Sequence, residues 1–158
     1  MKPKVYIETT IVSYLTAKPS RDSVFHGQQL VTQDWWENER TNYDLVTSQL
    51  TLDEAAEGDP DAAARRLAAL DAFAVIEVTP DAIALAVTLE QALRLPARAR
   101  ADALHVALAA TAAVPFVLTW NCTHLANGHL LGKIETSCRR HGVEPPRVLT
   151  PLQLMESP

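Results

Sequence analysis

The sequence predicts an α/β fold of three layers, an α/β/α sandwich around a mostly parallel central sheet of four or five strands. Short β-favouring apolar runs alternate with longer helical segments, an order typical of βαβ units with helices on both faces of a sheet. The chain has 158 residues, the usual length of one domain, and no repeat, low-complexity tract or linker divides it. We therefore expect residues 1–158 to form a single domain.

Three predicted strands lie in the first half of the chain, at residues 5–7, 44–47 and 73–78. Helices are expected after each strand, because residues that favour helix starts come directly after the apolar runs. Thr9 and Thr10 predict a helix over 11–15, Ser20 predicts a helix to about Arg40, and Gly58 ends a helix predicted over 50–56. Asp59 and Pro60 predict the start of a helix to about Leu70, and Thr79 and Pro80 predict the start of a helix to about Leu93.

The second half of the chain contains a segment, residues 99–113, that is small and apolar on nearly every side. This composition predicts a helix buried against the sheet or a neighbouring helix. We expect a fourth strand at residues 114–119, a helix at 128–140, and a short last strand at 147–150 before a C-terminal turn at Pro151.

The chain is acidic, with 14 Lys and Arg against 19 Asp and Glu and a net charge of -5. This balance argues against a protein that holds nucleic acid by overall positive charge. A polyanionic partner must therefore meet a local basic patch or a metal ion. Arg94, Arg98 and Arg100 form one candidate patch, and Lys18 with Arg21 forms another. Each group either follows a phosphate backbone or belongs to an ordinary solvated connection.

Two features predict a cytoplasmic protein. Cys122 and Cys138 are too few for a disulfide framework, which favours a reducing compartment. Glu8 interrupts the apolar core that a signal peptide would need, and no run of about 18 apolar residues is present for a membrane helix. We expect no membrane partner.

Polar residues follow the predicted strands at the edge where open α/β sheets bind ligands, outside the carboxyl ends of the strands. Glu8 ends the first strand, Glu54 lies on the helix after the second, and Asn121 follows the fourth. Asp102 stands near the start of the buried helix that precedes the fourth strand. We expect these side chains to meet at one edge of the sheet.

Asp102 is the most informative of these residues, because its neighbours Ala101, Ala103 and Leu104 are apolar. Burying an unpaired carboxylate is costly or shifts its pKa upward. Carboxylates gathered at one edge repel one another unless a divalent cation neutralises them, and all-oxygen ligation suits Mg²⁺ or Mn²⁺. Alternatively, all three acids are structural: Asp102 as an acid at a helix start, Glu8 as a polar residue at a strand end, and Glu54 as part of a solvated helix face.

Four blocks of residues occur in an order that covers nearly the whole chain: Tyr6-Ile7-Glu8-Thr9-Thr10-(x)2-Ser13, Leu52-Asp53-Glu54-Ala55 followed by Gly58-Asp59, Ala101-Asp102-Ala103-Leu104-His105-Val106-Ala107-Leu108-Ala109, and Leu118-Thr119-Trp120-Asn121-(x)2-His124-Leu125. This order resembles the PIN-domain family, particularly the VapC-like toxin ribonucleases of VapBC type II toxin–antitoxin systems. The block around Asp102 is the most distinctive. The resemblance implies a three-layer α/β/α fold and Mg²⁺- or Mn²⁺-dependent endoribonuclease activity, a hydrolysis of phosphodiester bonds in RNA.

The resemblance assigns catalytic and metal-binding roles to Glu8, Glu54, Asp102 and Asn121. Glu8 stands where the family usually has Asp, so it keeps the charge on a longer side chain. Asn121 also replaces a usual Asp and offers a neutral carbonyl, so three carboxylates are expected in the site. The residues expected to contact substrate or to support the ligands are Thr9, Thr10, Ser13, His105 and His124.

Each of the two histidines in this set has two interpretations. His105 lies one helical turn after Asp102, and it is either a core histidine with a backbone partner or a support for Asp102. His124 lies three residues after Asn121, and it is either close to the site or the cap of a turn.

The resemblance also implies partners: an RNA substrate, a cognate antitoxin protein held in a groove of the early helices, and a second copy of the chain in a homodimer. Trp35 and Trp36 give one helix more aromatic area than one face buries easily. One ring is therefore expected at a partner or dimer surface, unless both pack in the core. Because of Glu8 and Asn121, the alternative function is a catalytically weakened PIN-like module that binds RNA or protein.

Cys122-x-His124 and Cys138-x2-His141 contain the side-chain types that zinc prefers. A Cys-x-His pair beside a strand end is an unusual geometry for zinc. Packed thiols are therefore the favoured interpretation of Cys122 and Cys138.

Overall fold

Five strands form the sheet at the centre of the fold, and the computed structural model describes residues 1–155 around it. The strands are β1 Lys4–Ile7, β2 Asp44–Ser48, β3 Ala74–Ile76, β4 Phe116–Leu118 and β5 Arg147–Leu149. They lie in the order β3-β2-β1-β4-β5, and every neighbouring pair is parallel. The predicted α/β fold is confirmed, and the sheet is parallel throughout.

Helices connect the strands and cover both faces of the sheet. The described helices are α1 Thr9–Thr16, α2 Ser23–Asp34, α3 Gln49–Ala55, α4 Pro60–Leu70, α5 Pro80–Leu93, α6 Arg100–Thr111, α7 Leu131–Arg140 and α8 Pro151–Met155. Within residues 1–155, none of them is long and apolar enough to cross a membrane.

Alternating side chains of the strands divide the core into two layers, as the two-residue period of a strand requires. On one face, Tyr6 of β1 packs with residues of α5, α6 and α7. On the other face, Val5 and Ile7 pack with α1, with Trp35 and with Leu154 of α8. α6 is buried on most sides, which confirms the expectation for residues 99–113.

The start of α2 differs from the prediction. The sequence predicts Ser20 as its N-cap, but Asp22 is the cap, and its Oδ1 accepts a hydrogen bond of 2.8 Å from the Phe25 N–H. The Ser20 hydroxyl instead accepts from the Asp22 N–H at 3.1 Å and so shapes the preceding turn. After α2 the chain continues to Asn42 through a π-helical turn, Trp35–Glu39, and a 3-10 turn.

The C-terminal turn expected at Pro151 is a short helix, α8. Thr150 and Gln153 stabilise its start reciprocally. The Thr150 hydroxyl accepts from the Gln153 N–H at 3.3 Å, and the Gln153 side-chain oxygen accepts from the Thr150 N–H at 2.9 Å. This capping box extends the predicted turn into a helix.

Four residues that follow helices have the left-handed backbone conformation. Two are glycines, Gly58 after α3 and Gly142 after α7. The other two carry side chains, Arg94 after α5 with φ 52° and Ala113 after α6 with φ 56°. This conformation costs a residue with a Cβ about 1 kcal/mol or more, whereas glycine adopts it freely.

Candidate functional site

Glu8 connects β1 directly to α1 and is the N-cap of that helix. Its Oε2 accepts hydrogen bonds from the Thr10 N–H at 2.8 Å, the Thr10 hydroxyl at 2.6 Å and the Thr119 hydroxyl at 3.1 Å. The sequence predicts that the hydroxyls of Thr9 and Thr10 cap α1. The carboxylate takes this place because it reaches the Thr10 N–H, and a negative charge is favourable at a helix N-terminus.

Burial changes the acidity of Glu8, whose exposed fraction is 4%. Burial raises the pKa of this carboxyl above its ordinary value, although the charge of His105 and the hydrogen bonds from Thr10 and Thr119 oppose the shift. A negative Glu8 is therefore unfavourable unless a positive group lies near it.

Glu54 lies on α3, and its Oε1 accepts a hydrogen bond of 2.6 Å from the Thr9 hydroxyl. The same oxygen is 2.6 Å from Nε2 of His105, which is buried on α6. Nδ1 of His105 is 2.6 Å from the Tyr6 hydroxyl, and that hydroxyl is 2.7 Å from the Ser48 hydroxyl. A buried series of polar contacts therefore connects α1, α3 and α6 with the sheet.

His105 is buried in the core, as one of its two interpretations predicts, but its partners are the Glu54 and Tyr6 side chains rather than a backbone group. It makes no hydrogen bond to Asp102 among the described residues. The reason is that the ring points across the sheet edge toward β1 and α3 and not back along α6.

Three carboxylates act electrostatically on His105. Burial alone would lower the pKa of this imidazole, but the hydrogen bond to Glu54 and the charges of Glu8, Glu54 and Asp102 outweigh it and raise the pKa. Burial alone would raise the pKa of Glu54, but the hydrogen bond and charge of His105 and the Thr9 hydroxyl lower it. The carboxylates from three separate elements therefore favour the protonated form of His105, whose charge would offset theirs.

Asp102 lies in the first turn of α6, and its Oδ2 is 2.9 Å from Nδ1 of His124. These two side chains are 20% and 23% exposed, respectively. Asp102 is therefore paired, as its apolar sequence neighbours led us to expect, and it is partly exposed at the start of its helix. Glu8 is the more deeply buried acid. The Asn121 Oδ1 accepts a hydrogen bond of 3.0 Å from the His124 N–H, so Asn121 shapes the turn that presents His124.

The three carboxylates share a pattern of hydrogen bonding. In Glu8, Glu54 and Asp102, one oxygen is held by protein donors, while the other has no hydrogen bond to the described residues. Oriented carboxylates with free oxygens are chemically suited to Mg²⁺ or Mn²⁺. Within residues 1–155, however, no three His, Cys, Asp or Glu side chains are grouped closely enough to hold an ion. Carboxylate oxygens are suitable ligands for such a cation, but the three carboxylates lie too far apart in this structure to share one.

Several polar residues at this edge escape the sequence analysis. Tyr6, Ser48, Thr51 and Thr119 are buried, and their hydroxyls take part in the contacts around Glu8 and His105. Ser48 ends β2 and Thr119 follows β4, so the strand-end rule that selects Glu8 also points to them. Ser13, a predicted substrate contact, is half-buried on α1 and makes no side-chain hydrogen bond to these carboxylates in the part of the chain described.

The proposed zinc ligands do not meet. His124 contacts Asp102, and His141 contacts Asp81 at 2.8 Å between α7 and α5. Cys138 is buried, and burial raises the pKa of its thiol to about 11. The interpretation as a packed thiol is therefore right for Cys138 and wrong for Cys122, which is exposed.

The two tryptophans differ in their surroundings. Trp35 is wholly buried, as the core alternative predicts. Trp36 is half-buried, its ring lies 5.8 Å from the Phe73 ring, and the Arg40 guanidinium lies 4.8 Å from its centre. The chain's own residues therefore cover much of the aromatic area expected at a partner surface.

The fold is similar to that of a chain in the crystal structure of VapBC2 from Rickettsia felis bound to a DNA fragment from their promoter. The two share 11% sequence identity with a TM-score of 0.52, over 93% of this chain and 98% of that chain. No protein-family model and no curated protein matches the sequence. At this identity the similarity shows the fold, and it agrees with the fold that the sequence predicts.

Proposed function

We propose that this chain is a Mg²⁺- or Mn²⁺-dependent endoribonuclease, the toxin of a toxin–antitoxin pair. One observation carries the proposal: Glu8, Glu54 and Asp102 come from three separate elements to one sheet edge, and each keeps one oxygen free of protein donors. The similarity to a chain of a VapBC2 structure supports it at the level of the fold.

In this proposal Glu8, Glu54 and Asp102 would hold the cation together, with Asn121 supporting them from the adjoining turn, once the carboxylates stand closer than they do in this structure. A bound cation would supply positive charge to a phosphodiester oxygen and would lower the pKa of a water molecule. Thr9 holds Glu54, and Thr10 with Thr119 holds Glu8, so the hydroxyls keep the carboxylates oriented.

The proposed partners are an antitoxin and a second copy of the chain. The similarity to a chain of a VapBC2 structure supports the antitoxin. The surface formed by α1 and α2 is its proposed binding site. Co-expression with the product of a small neighbouring reading frame tests this, since the antitoxin must copurify with the chain and suppress RNA cleavage.

The decisive experiment incubates the purified protein with a structured RNA in Mg²⁺, in Mn²⁺ and in EDTA. We expect cleavage only with a divalent cation. Asp102→Asn should lower the rate at least 100-fold, about 3 kcal/mol of transition-state stabilisation. Asp53→Asn is the matched control, because Asp53 is an exposed acid of α3 whose carboxylate accepts a hydrogen bond from Gln49 and from no other described residue. Cleavage that persists in EDTA, or equal rates for the two variants, would contradict the proposal.

A second candidate is a binding module of the same fold that holds RNA or protein without cutting it. The separation of the carboxylates within the described chain favours it. So does Asn121, which replaces a charge with an amide that already accepts from the His124 N–H. This candidate predicts RNA binding that EDTA does not change, together with intact RNA after prolonged incubation in Mg²⁺.

A further inference from the structure

Basic residues are concentrated in one part of this acidic chain. Residues 91–140 contain six Lys and Arg against two Asp and Glu, whereas the rest of the chain contains eight against 17. The net charge of -5 is therefore the sum of one positively charged segment and a strongly negative remainder. Such segregation creates a local field that attracts polyanions even when the whole protein is acidic.

The positive segment forms a surface that we call the basic surface. Its members are His129 just before α7 and Lys133 and Arg140 on that helix, all of them exposed; Arg100 lies in a separate groove beside Glu90 of α5. The residues of α7 line a cavity of about 540 Å³ between α7 and the end of α5. This cavity also presents the Thr136 and Ser137 side chains, and its lining contains no carboxylate.

The basic surface is connected to the Asp102–His124 pair through one turn. The Asn127 amide donates to the Thr123 carbonyl at 2.9 Å, and its oxygen accepts from the His129 N–H at 2.9 Å. Asn127 therefore fixes His129 to the turn that carries His124. An extended polymer bound along the basic surface would therefore reach the Asp102–His124 pair.

The cations of the basic surface are available to a ligand. Among the described residues, Lys133 and Arg140 have no ion pair. Lys133 and Arg140 are two helical turns apart, about 10 Å along α7. The spacing suits successive contacts with one extended strand rather than a single small anion.

We infer that the basic surface binds the phosphate backbone of an RNA strand and leads it to Asp102 and His124. The inference rests on the proposed function for the choice of RNA among polyanions. Lysine and arginine side chains position a nucleic-acid backbone without reading its sequence, and hydroxyls add hydrogen bonds to phosphate oxygens. The absence of acidic groups from the cavity lining removes the repulsion that the rest of this protein would present.

The test measures binding without catalysis. A fluorescently labelled oligouridylate is titrated with the protein in EDTA over a series of NaCl concentrations, for the wild type and for Lys133→Ala/Arg140→Ala. The control is Lys2→Ala/Arg65→Ala, which removes the same charge from exposed positions outside residues 91–140. Thermal unfolding verifies that both double variants are folded.

We expect the α7 double variant to bind about tenfold more weakly at low salt. Its plot of log affinity against log salt should be shallower by about 1.4, since each neutralised phosphate of a single strand contributes about 0.7. The control should keep the wild-type slope. Equal losses in the two double variants would overturn the inference, because they would show a bulk charge effect.

A competing polyanion provides a second way to overturn the inference. If polyglutamate binds more tightly than oligouridylate, and Lys133→Ala/Arg140→Ala abolishes that binding, the surface serves an acidic protein segment instead. Because every measurement is made in EDTA, a protein that binds RNA through this surface but never cleaves it would refute only the proposed nuclease activity.

Discussion

Two histidine–carboxylate pairs at the same sheet edge are alike in chemistry and different in environment. His105 and Glu54 are 2.6 Å apart, with the imidazole 1% and the carboxylate 31% exposed. His124 and Asp102 are 2.9 Å apart, and each side chain is about one-fifth exposed. We call the first the buried pair, after its imidazole, which contacts Tyr6 in the core, and the second the open pair, because His124 lies on a turn next to the basic surface.

The two pairs differ in the burial of their imidazoles and not in that of their carboxylates. The environment of the buried pair raises the pKa of His105 and lowers that of Glu54, so each partner favours the charged form of the other. His124 is exposed enough to contact a ligand, whereas His105 is not. We therefore assign stability chiefly to His105, and ligand contact chiefly to the open pair and to the exposed part of Glu54.

The largest expected effect comes from breaking the buried pair. His105→Ala should lower the free energy of unfolding by about 3 kcal/mol or more, because it leaves Glu54 without its counter-charge and removes the partner of Tyr6. Chemical denaturation at pH 6 measures this loss. Leu108→Ala, a purely apolar deletion on the same helix, is the matched control.

The pH dependence of these two variants separates charge from packing. The native pKa of His105 is raised, so its stabilising contribution is complete below the ordinary histidine pKa of about 6.5 and is lost as the pH rises through the native value. The deficit of His105→Ala should therefore shrink between pH 6 and pH 9. The deficit of Leu108→Ala should stay constant. Parallel curves for the two variants would show that His105 contributes packing alone.

Glu8 provides a smaller effect of opposite sign. Its pKa is raised by burial, so ionisation above the ordinary glutamate pKa of about 4.3 opposes folding. Glu8→Gln should therefore raise the free energy of unfolding at pH 7 by about 1 kcal/mol, with the gain disappearing toward pH 4. Glu37→Gln, at an exposed position, is the control and should change little. A destabilised Glu8→Gln at pH 7 would contradict the expected sign.

The smallest expected effect on stability belongs to the open pair. His124→Ala should cost less than about 1 kcal/mol, because partly exposed ion pairs contribute little. Thermal unfolding measures this cost, and His129→Ala, which changes an exposed histidine of the same segment, is the control. If His124→Ala costs as much as His105→Ala, burial does not distinguish the two pairs.

The sequence predicts most of the fold because local signals and the global arrangement agree. Asp59 and Thr79 each stand before a proline at the start of a helix, and both cap the helix as predicted, at 2.9 and 3.1 Å. Ser20 fails because Asp22, two residues later, offers a carboxylate to the same helix start. Competing caps two residues apart cannot be ranked without the turn that separates them.

The candidate site is predictable only in part. The strand-end rule selects Glu8, which lies at the carboxyl end of β1, and the same rule points to Thr119, which donates to it. Helical spacing places His105 beside Asp102, yet the ring points to Glu54, about 50 residues away in the sequence. Which of the acids at the edge is most buried also depends on tertiary packing, and the structure buries Glu8 more deeply than Asp102.

The left-handed helix ends set limits on engineering this molecule. Ala113→Gly should raise thermal stability, because the relief of left-handed backbone strain at this exposed position outweighs the larger entropy that glycine gives the unfolded chain. Arg94→Gly relieves comparable strain, but it deletes a cation from the corner of α5 and α6. A gain in thermal stability therefore removes only a methyl group at one position and an exposed positive charge at the other.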